Sequence, residues 1–226
     1  MNASLMSSLL ANVDWSEIAQ AALDTLTMLG GSLVFTLVIG LPLGIWLFLA
    51  SPGQLLERPR LYATLSVIVN ILRSLPFVIL LIVMIPLTVL LIGTSIGVGG
   101  AIPPLVAGAA PFFARLVENV LREVDRGVVE ASQSMGATTR QIILHVLLPE
   151  ALPGLIGAAT VTTVALVGYT AMSGVIGGGG LGDLAVRYGY QRFQTDVMAV
   201  TVVLLLVLVQ CLQSAGDRLV RRFTRK

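Results

Sequence analysis

Long runs of apolar residues alternate with short polar segments along this chain. Residues 25–56 carry no charge, Arg73 is the single charge in residues 61–114, and residues 151–182 and 197–216 are also uncharged. A membrane-spanning helix needs about 20 mostly apolar residues. The pattern therefore predicts an all-α polytopic membrane protein with five spans. These spans are residues 25–50, 61–86, 102–121, 152–173 and 196–216.

The composition agrees with a membrane protein and excludes the soluble enzyme classes. Hydrophobic residues make up 56% of the 226 residues and charged residues only 12%, whereas a soluble domain carries about 25% charged residues. The mean hydropathy is +0.93. We expect one transmembrane domain over residues 1–226, embedded in membrane lipid. The formal net charge of +2 gives no reason to expect a nucleic-acid partner.

Several reactive residue types occur only once, which excludes common kinds of site. The only lysine is Lys226, so the chain cannot form a Walker A loop of its own. The only histidine is His145, which excludes metal sites built from several histidines. The only cysteine is Cys211, so an intrachain disulfide is impossible. We therefore expect no catalytic residue, no metal site and no cofactor bound by this chain.

The distribution of basic residues predicts the orientation of the chain in the membrane. Cytoplasmic loops of membrane proteins carry an excess of Lys and Arg. Only Arg187 and Arg192 fall on one predicted side of the membrane. Residues 1–20 contain no Lys or Arg, so we expect no secretory signal peptide. The opposite side has eleven basic residues: Arg58, Arg60, Arg115, Arg122, Arg126, Arg140, Arg218, Arg221, Arg222, Arg225 and Lys226. The N-terminus is thus predicted outside and the C-terminus in the cytoplasm.

Residues 122–150 form the one long polar link, and their pattern predicts two short helices around Gly136. A glycine can end a helix in the left-handed conformation, and Thr138 or Thr139 can begin the next helix as an N-cap. Pro149 and Pro153 suit the start of the following span. We expect a compact helix–Gly–helix projection on the cytoplasmic face, which we call the coupling segment (residues 122–150).

Seven residues of the coupling segment fall at the spacing of a known motif. They are Glu130, Ala131, Ser132, Gly136, Val146, Leu148 and Pro149. This arrangement resembles the EAA motif of ABC-importer permeases, with Ser132 in place of the third Ala and Val146 in place of Ile. Stretches such as NILRSLPF, GAAPFFARLVENVL and GGGGLGDLAVRYGY are similar to the methionine-uptake permeases of bacteria.

The resemblance implies a multi-pass permease subunit of an ATP-driven importer in the bacterial inner (plasma) membrane, with methionine as the expected substrate. It also implies a permease homodimer, two cytoplasmic ATPase subunits that hold ATP and Mg, and an external substrate-binding lipoprotein. Contact with the ATPase subunit would involve Glu130, Ala131, Ser132, Gly136, Ala137 and Thr138. The Glu130 carboxylate either caps its own helix or meets an arginine of the partner.

Four residues are candidates for the transport path or its gate: Met172, Tyr169, Thr163 and Arg73. Arg73 either lines the path or supports a kink before Pro76. The fourth span is rich in small and hydroxylated residues, including the Gly154/Ala158 pair, which suits close packing at a dimer axis.

Two other functions are open. A self-powered transporter would need intramembrane carboxylates or histidine, and apart from Arg73 we expect no charge inside the spans. An intramembrane enzyme would use Ser95 in the stretch Gly93–Gly97, which lacks a basic partner. A rival substrate is another small amino acid or a compatible solute.

Residues 177–182 match a dinucleotide-binding pattern, but no strand is predicted before them. We therefore expect a flexible outer loop there, which is a candidate docking point for the binding protein.

Overall fold

A computed structural model describes residues 13–224, and every regular element in that range is helical. Arg225 and Lys226 of the basic tail lie outside the described residues. The α-helices of this range are α1 (Trp15–Ala50), α2 (Pro59–Ser74), α3 (Phe77–Val83), α4 (Ile85–Ile92), α5 (Gly97–Arg122), α6 (Arg126–Ser134), α7 (Thr139–Ile142), α8 (Leu148–Ser173), α9 (Gly180–Leu184) and α10 (Thr195–Phe223).

Within residues 13–224, four helices are able to cross a membrane, and a bent pair taken as one span brings the number to the five predicted. Helix α1, helix α5, the run from α7 through α8, and helix α10 are each long and apolar enough. The pair α2 and α3 passes the same test of length and composition only when taken together, with a bend of 103° between the two helices. A proline disfavours helical backbone at the residue before it, and Pro76 places that restriction on Leu75. The span predicted over residues 61–86 is therefore interrupted between α2 and α3, before Pro76, where a kink was one of the two alternatives for Arg73.

Helix α5 begins at Gly97, five residues before the predicted start of the third span. The predicted spans leave residues 87–101 as a link. Instead a left-handed residue, Gly93, ends α4, and a second one, Gly97, starts α5, which leaves only a short turn between the helices. Ser95 lies in this turn. A nucleophile elbow requires a strand before the turn, and here a helix precedes it.

The coupling segment continues into the fourth span without a break, which corrects the predicted helix start at Pro149. A π-helical turn, Ile143–Leu147, joins α7 to α8. The N–H of Leu148 donates to the carbonyl of Ile143, five residues earlier. Proline has no N–H and clashes with the carbonyl four residues before it. The π-helical turn is wider than an α-helical turn and ends just before Pro149. It therefore accommodates the proline ring within a continuous helical run.

The described chain folds into two compact units. The first contains residues 13–34, 75–108 and 163–212. It holds a small apolar core of Ile18, Ala21, Leu181 and Leu184. The second contains residues 35–74, 109–162 and 213–224. Its larger core includes Phe48, Leu49, Phe113, Val117, Leu121, Ile142, Leu147, Ala151, Leu155 and Ala158.

Two glycines let helix α1 approach helix α5 closely within the second unit. A Cβ on Gly44 would lie 2.5 Å from the carbonyl oxygen of Ala114, and one on Gly40 would lie 2.8 Å from the ring of Phe113. Such distances are far inside van der Waals contact. The Gly40–Gly44 pair is therefore used for packing inside the protomer.

Candidate coupling and transport site

The coupling segment folds as the predicted helix–Gly–helix projection. Asp125 caps α6, and its carboxylate accepts from the N–H of Gly127 at 2.7 Å. Gly136 follows the end of α6 with a φ of +79°, the left-handed conformation that favours glycine. Thr138 then caps α7. Its hydroxyl accepts from the N–H of Gln141, and the Gln141 side chain accepts from the N–H of Thr138 at 2.8 Å, forming a reciprocal capping box.

The six predicted coupling residues do not all reach the surface. Glu130, Ala131, Gly136 and Thr138 are exposed, and Ala137 is half-buried. Ser132 is only 6% exposed, and its hydroxyl donates to the carbonyl of Val128 at 2.8 Å. The Ser132 hydroxyl is therefore bonded within its own helix, and the four exposed residues offer most of the surface to a partner.

The position of Glu130 excludes one of its two predicted roles. The N-cap of α6 is Asp125, and Glu130 lies one turn further along with its side chain exposed. A carboxylate at that position cannot accept from the first N–H groups of the helix, because these lie about a turn away. The prediction that Glu130 caps its own helix is wrong. Contact with an arginine of the partner remains as its predicted role, which we call the surface role.

Apolar side chains lie exposed on the tip of the coupling segment. Met135, next to Gly136, is 81% exposed. A shallow groove of about 520 Å³ adjoins it and is lined by Ser132, Met135, Gly136, Ala137, Gln141, His145 and Val146. The opposite side of the segment is anchored, since Ile142 and Leu147 are buried in the core of the second unit. The arrangement is a rigid projection with an adaptable apolar tip.

The candidate path residues fall in different environments. In the first unit, the ring of Tyr169 stacks on that of Phe77 with centroids 4.3 Å apart. Thr163 is buried in the same unit. In the second unit, Arg73 is exposed and its guanidinium carbon lies 5.9 Å from the centroid of the Phe112 ring.

Met172 lies on an exposed stripe of α8. It is 46% exposed, and Val161 and Gly168 are exposed at helical spacing on the same face. A Cβ on Gly168 would meet nothing within 4 Å. By contrast, Gly154 packs inside the protomer, where its Cβ would lie 2.6 Å from the Val120 side chain. The stripe through Met172 is therefore the open face of this helix.

Comparison with known proteins gives a consistent assignment. Residues 40–225 match the family described as binding-protein-dependent transport system inner membrane component. This chain belongs to that family. As a member, it is a multi-pass inner-membrane transport subunit, as the resemblance predicted.

Individual relatives match the permease over almost its whole length. A probable D-methionine transport system permease protein of Vibrio cholerae is 51% identical over 96% of this chain and 93% of its own. A D-methionine transport system permease protein of Escherichia coli is 53% identical over 90% of this chain and 94% of its own. A methionine import system permease protein of Bacillus subtilis is 50% identical over 91% of this chain and 93% of its own.

Solved structures agree with this assignment. A chain described as the MetNI methionine ABC transporter in inward-facing conformation has a TM-score of 0.92 at 50% identity, with both chains covered completely. An amino acid ABC transporter with histidines has a TM-score of 0.76 at 16% identity, over 98% of this chain and 100% of its own. The second likeness concerns the fold alone.

Glu118 of the permease is the residue that sequence reasoning missed. We expected no carboxylate inside the spans, but Glu118 lies in α5 with 1% of its surface exposed. Its carboxylate pairs with Arg115 at 2.5 Å and with Arg122 at 2.7 Å. The spacings i−3 and i+4 on a predicted helix could have revealed these pairs. A carboxylate occupied by two guanidinium groups differs from the open carboxylates of proton-driven carriers.

The glycine-rich stretch of the permease is packed, contrary to the flexible loop that we predicted. Gly178, Gly180 and Gly182 are buried, and residues 180–184 form helix α9. A Cβ on Gly180, whose φ is +80°, would lie 2.6 Å from the Thr25 hydroxyl. The glycines are thus required for close approach rather than for mobility. No group of acidic, histidine or cysteine residues suited to a metal ion occurs in residues 13–224.

Proposed function

We propose that this chain is the transmembrane subunit of an ATP-driven importer that carries methionine into the cell. It acts as a homodimer with two cytoplasmic ATPase subunits, which bind ATP and Mg, and it receives its substrate from an external binding protein. The observation that carries the proposal is the coupling segment, whose seven motif residues lie on a capped projection with an exposed apolar tip. The names of relatives about 50% identical support methionine as the substrate.

Coupling follows from the way in which the projection is built. Its tip offers Glu130, Ala131 and Gly136 at the surface, and small residues permit close approach of a partner backbone. Its base is anchored in the second unit's core by Ile142 and Leu147. A displacement of the tip by the ATPase subunits is therefore passed on as a rigid-body movement, which biases the path between two states.

The substrate proposal is tested by uptake into proteoliposomes that contain the permease, its ATPase subunit and the binding protein. We expect uptake of labelled methionine that requires ATP and all three components. Uptake without ATP would support a self-powered carrier instead. ATP-dependent uptake of a different small amino acid or a compatible solute, with no uptake of methionine, would replace the substrate while retaining the importer.

The surface role of Glu130 is tested by charge reversal. Glu130→Arg should weaken association with the ATPase subunit and lower ATP-driven uptake. Glu123→Arg is the matched control, because Glu123 is also an exposed glutamate of the coupling segment but is outside the motif. Association is measured by co-purification and uptake by the proteoliposome assay. Equal behaviour of the two variants would remove Glu130 from the contact.

The predicted orientation and path are tested with single cysteines in a Cys211→Ser background. Phe193→Cys should react with an impermeant maleimide in intact cells, and Thr224→Cys only after permeabilisation. The reverse pattern would invert the topology. We propose that Met172 gates the path and that Arg73, Tyr169 and Thr163 border it. Met172→Cys should then react with the maleimide in one nucleotide state and be protected in the other.

A further inference from the structure

Two faces of helix α5 make different contacts within the second unit. On one face, Phe113, Val117 and Leu121 share the apolar core with Ile142 and Leu147 of the coupling segment. Phe113, Val117 and Leu121 follow one another at four-residue spacing. The coupling segment is therefore attached to α5 by a continuous apolar contact.

A different face of α5 holds helix α2 through a buried polar cluster. The Glu118 carboxylate accepts from the Tyr62 hydroxyl at 3.2 Å, in addition to its pairs with Arg115 and Arg122. Arg115 in turn donates to the Ser66 hydroxyl at 2.7 Å and to the Asn70 side chain at 2.9 Å. We call these residues the Glu118 clamp: Tyr62, Ser66, Asn70, Arg115, Glu118 and Arg122.

The clamp also reaches the surface beside the coupling helix. Arg122 lines a cleft of about 250 Å³ together with Arg126, Glu130 and Gln133 of helix α6. The same arginine therefore belongs to the clamp and borders the helix that meets the ATPase subunit. Helix α2 ends near Arg73, directly before the bend at Leu75 and Pro76.

We propose that Glu118 is a positioning residue that makes α2 move together with the coupling segment when the ATPase subunits close. This inference rests on the proposed function. The apolar face of α5 follows the coupling segment, and the clamp transmits that movement to α2 and so to the bend before Phe77. Without the clamp, α5 still packs on the coupling segment, but α2 is free to lag behind it. ATP hydrolysis would then continue while transport per ATP falls.

The test compares Glu118→Gln with Glu123→Gln in the full complex reconstituted in proteoliposomes. Glu123 is an exposed glutamate one residue beyond the end of the same helix, so it is a matched control. We expect Glu118→Gln to lower uptake per ATP hydrolysed severalfold. Glu123→Gln should leave the ratio unchanged. Glu118→Asp, which keeps the charge, should restore part of it.

A second variant covers the case in which Glu118→Gln fails to assemble. Tyr62→Phe combined with Ser66→Ala removes two contacts on α2 and leaves the Glu118 ion pairs intact. Uptake per ATP should again fall in a complex of normal thermal stability. The inference is overturned if the assembled variants keep the wild-type ratio, or if uptake and hydrolysis fall in equal proportion. Absence of ATP-driven methionine uptake in the wild type would refute the proposed function instead.

Discussion

The hydroxyl of Thr25 accepts a hydrogen bond of 2.9 Å from the backbone N–H of Leu181, although the two residues lie 156 positions apart in the sequence. Both groups are buried in the first unit, and the Thr25 hydroxyl itself donates to the carbonyl of Ala21. One side chain thus fixes the glycine-rich stretch to the first transmembrane helix. Since α9 is only five residues long, this bond supplies an anchor that local helix formation cannot.

Replacing Thr25 with valine should lower the thermal stability of the purified permease. Valine has nearly the same shape but cannot accept the bond, which leaves a buried N–H unsatisfied at a cost of about 1–3 kcal/mol. Thr27→Val is the control, because the Thr27 hydroxyl is exposed and bonds only within its own helix. A fall in Tm for Thr25→Val alone is the expected result. Equal Tm values for both variants would contradict the anchor.

Adding a methyl group at Gly180 should destabilise the same unit. The left-handed φ costs a non-glycine residue about 1–2 kcal/mol, and the new Cβ would collide with Thr25 and Met28. Gly30→Ala is the matched control, since Gly30 lies in α1 with open space around its Cβ position. We expect Gly180→Ala to lower the Tm and the yield of folded protein, and Gly30→Ala to leave both unchanged or slightly raised. A tolerated Gly180→Ala would show that the packing is looser.

Removing the cap of α7 should weaken the hold of the coupling segment on its ATPase partner. Thr138→Ala removes the hydroxyl that accepts from the N–H of Gln141, and losing such a cap costs about 1 kcal/mol of local helix stability. If the ordered segment is the form that binds, affinity for the isolated ATPase subunit should fall by up to about fivefold. Thr138→Ser keeps the hydroxyl and should bind like the wild type in the same titration. Unchanged affinity for Thr138→Ala would mean that the cap is dispensable for docking.

The start of α1 should respond to acid in a defined direction. Hydrogen bonds from the Ser16 side chain and from the amides of Ser16 and Glu17 lower the pKa of Asp14 below its usual value of 3.8. The cap contribution is therefore complete above 3.8 and is lost only as the pH falls through the lowered pKa. Amide exchange at Glu17 and Ile18 should speed up in that acid range beyond the intrinsic rate. Asp14→Asn, which keeps an acceptor but does not titrate, should abolish the transition.

The local structure of the coupling segment could be predicted from sequence because its signals are local. Gly136 was expected to be left-handed and Thr138 was one of two expected caps, and both predictions are confirmed. Each depends on a few consecutive residues. The predicted cap role of Glu130 failed because Asp125, five residues earlier, provides the cap.

The sequence by itself determined the membrane class, the five apolar runs and the motif, since hydrophobicity and spacing are properties of consecutive residues. Only the tertiary structure decided that Glu118 and Gly180 are buried. Glu118 lies near the end of the predicted third span, and its burial depends on Tyr62 of α2 meeting it on α5. Gly180 looked like part of a mobile loop. Its burial depends on Thr25, which is distant in sequence, and long-range packing of this kind leaves no local pattern to read.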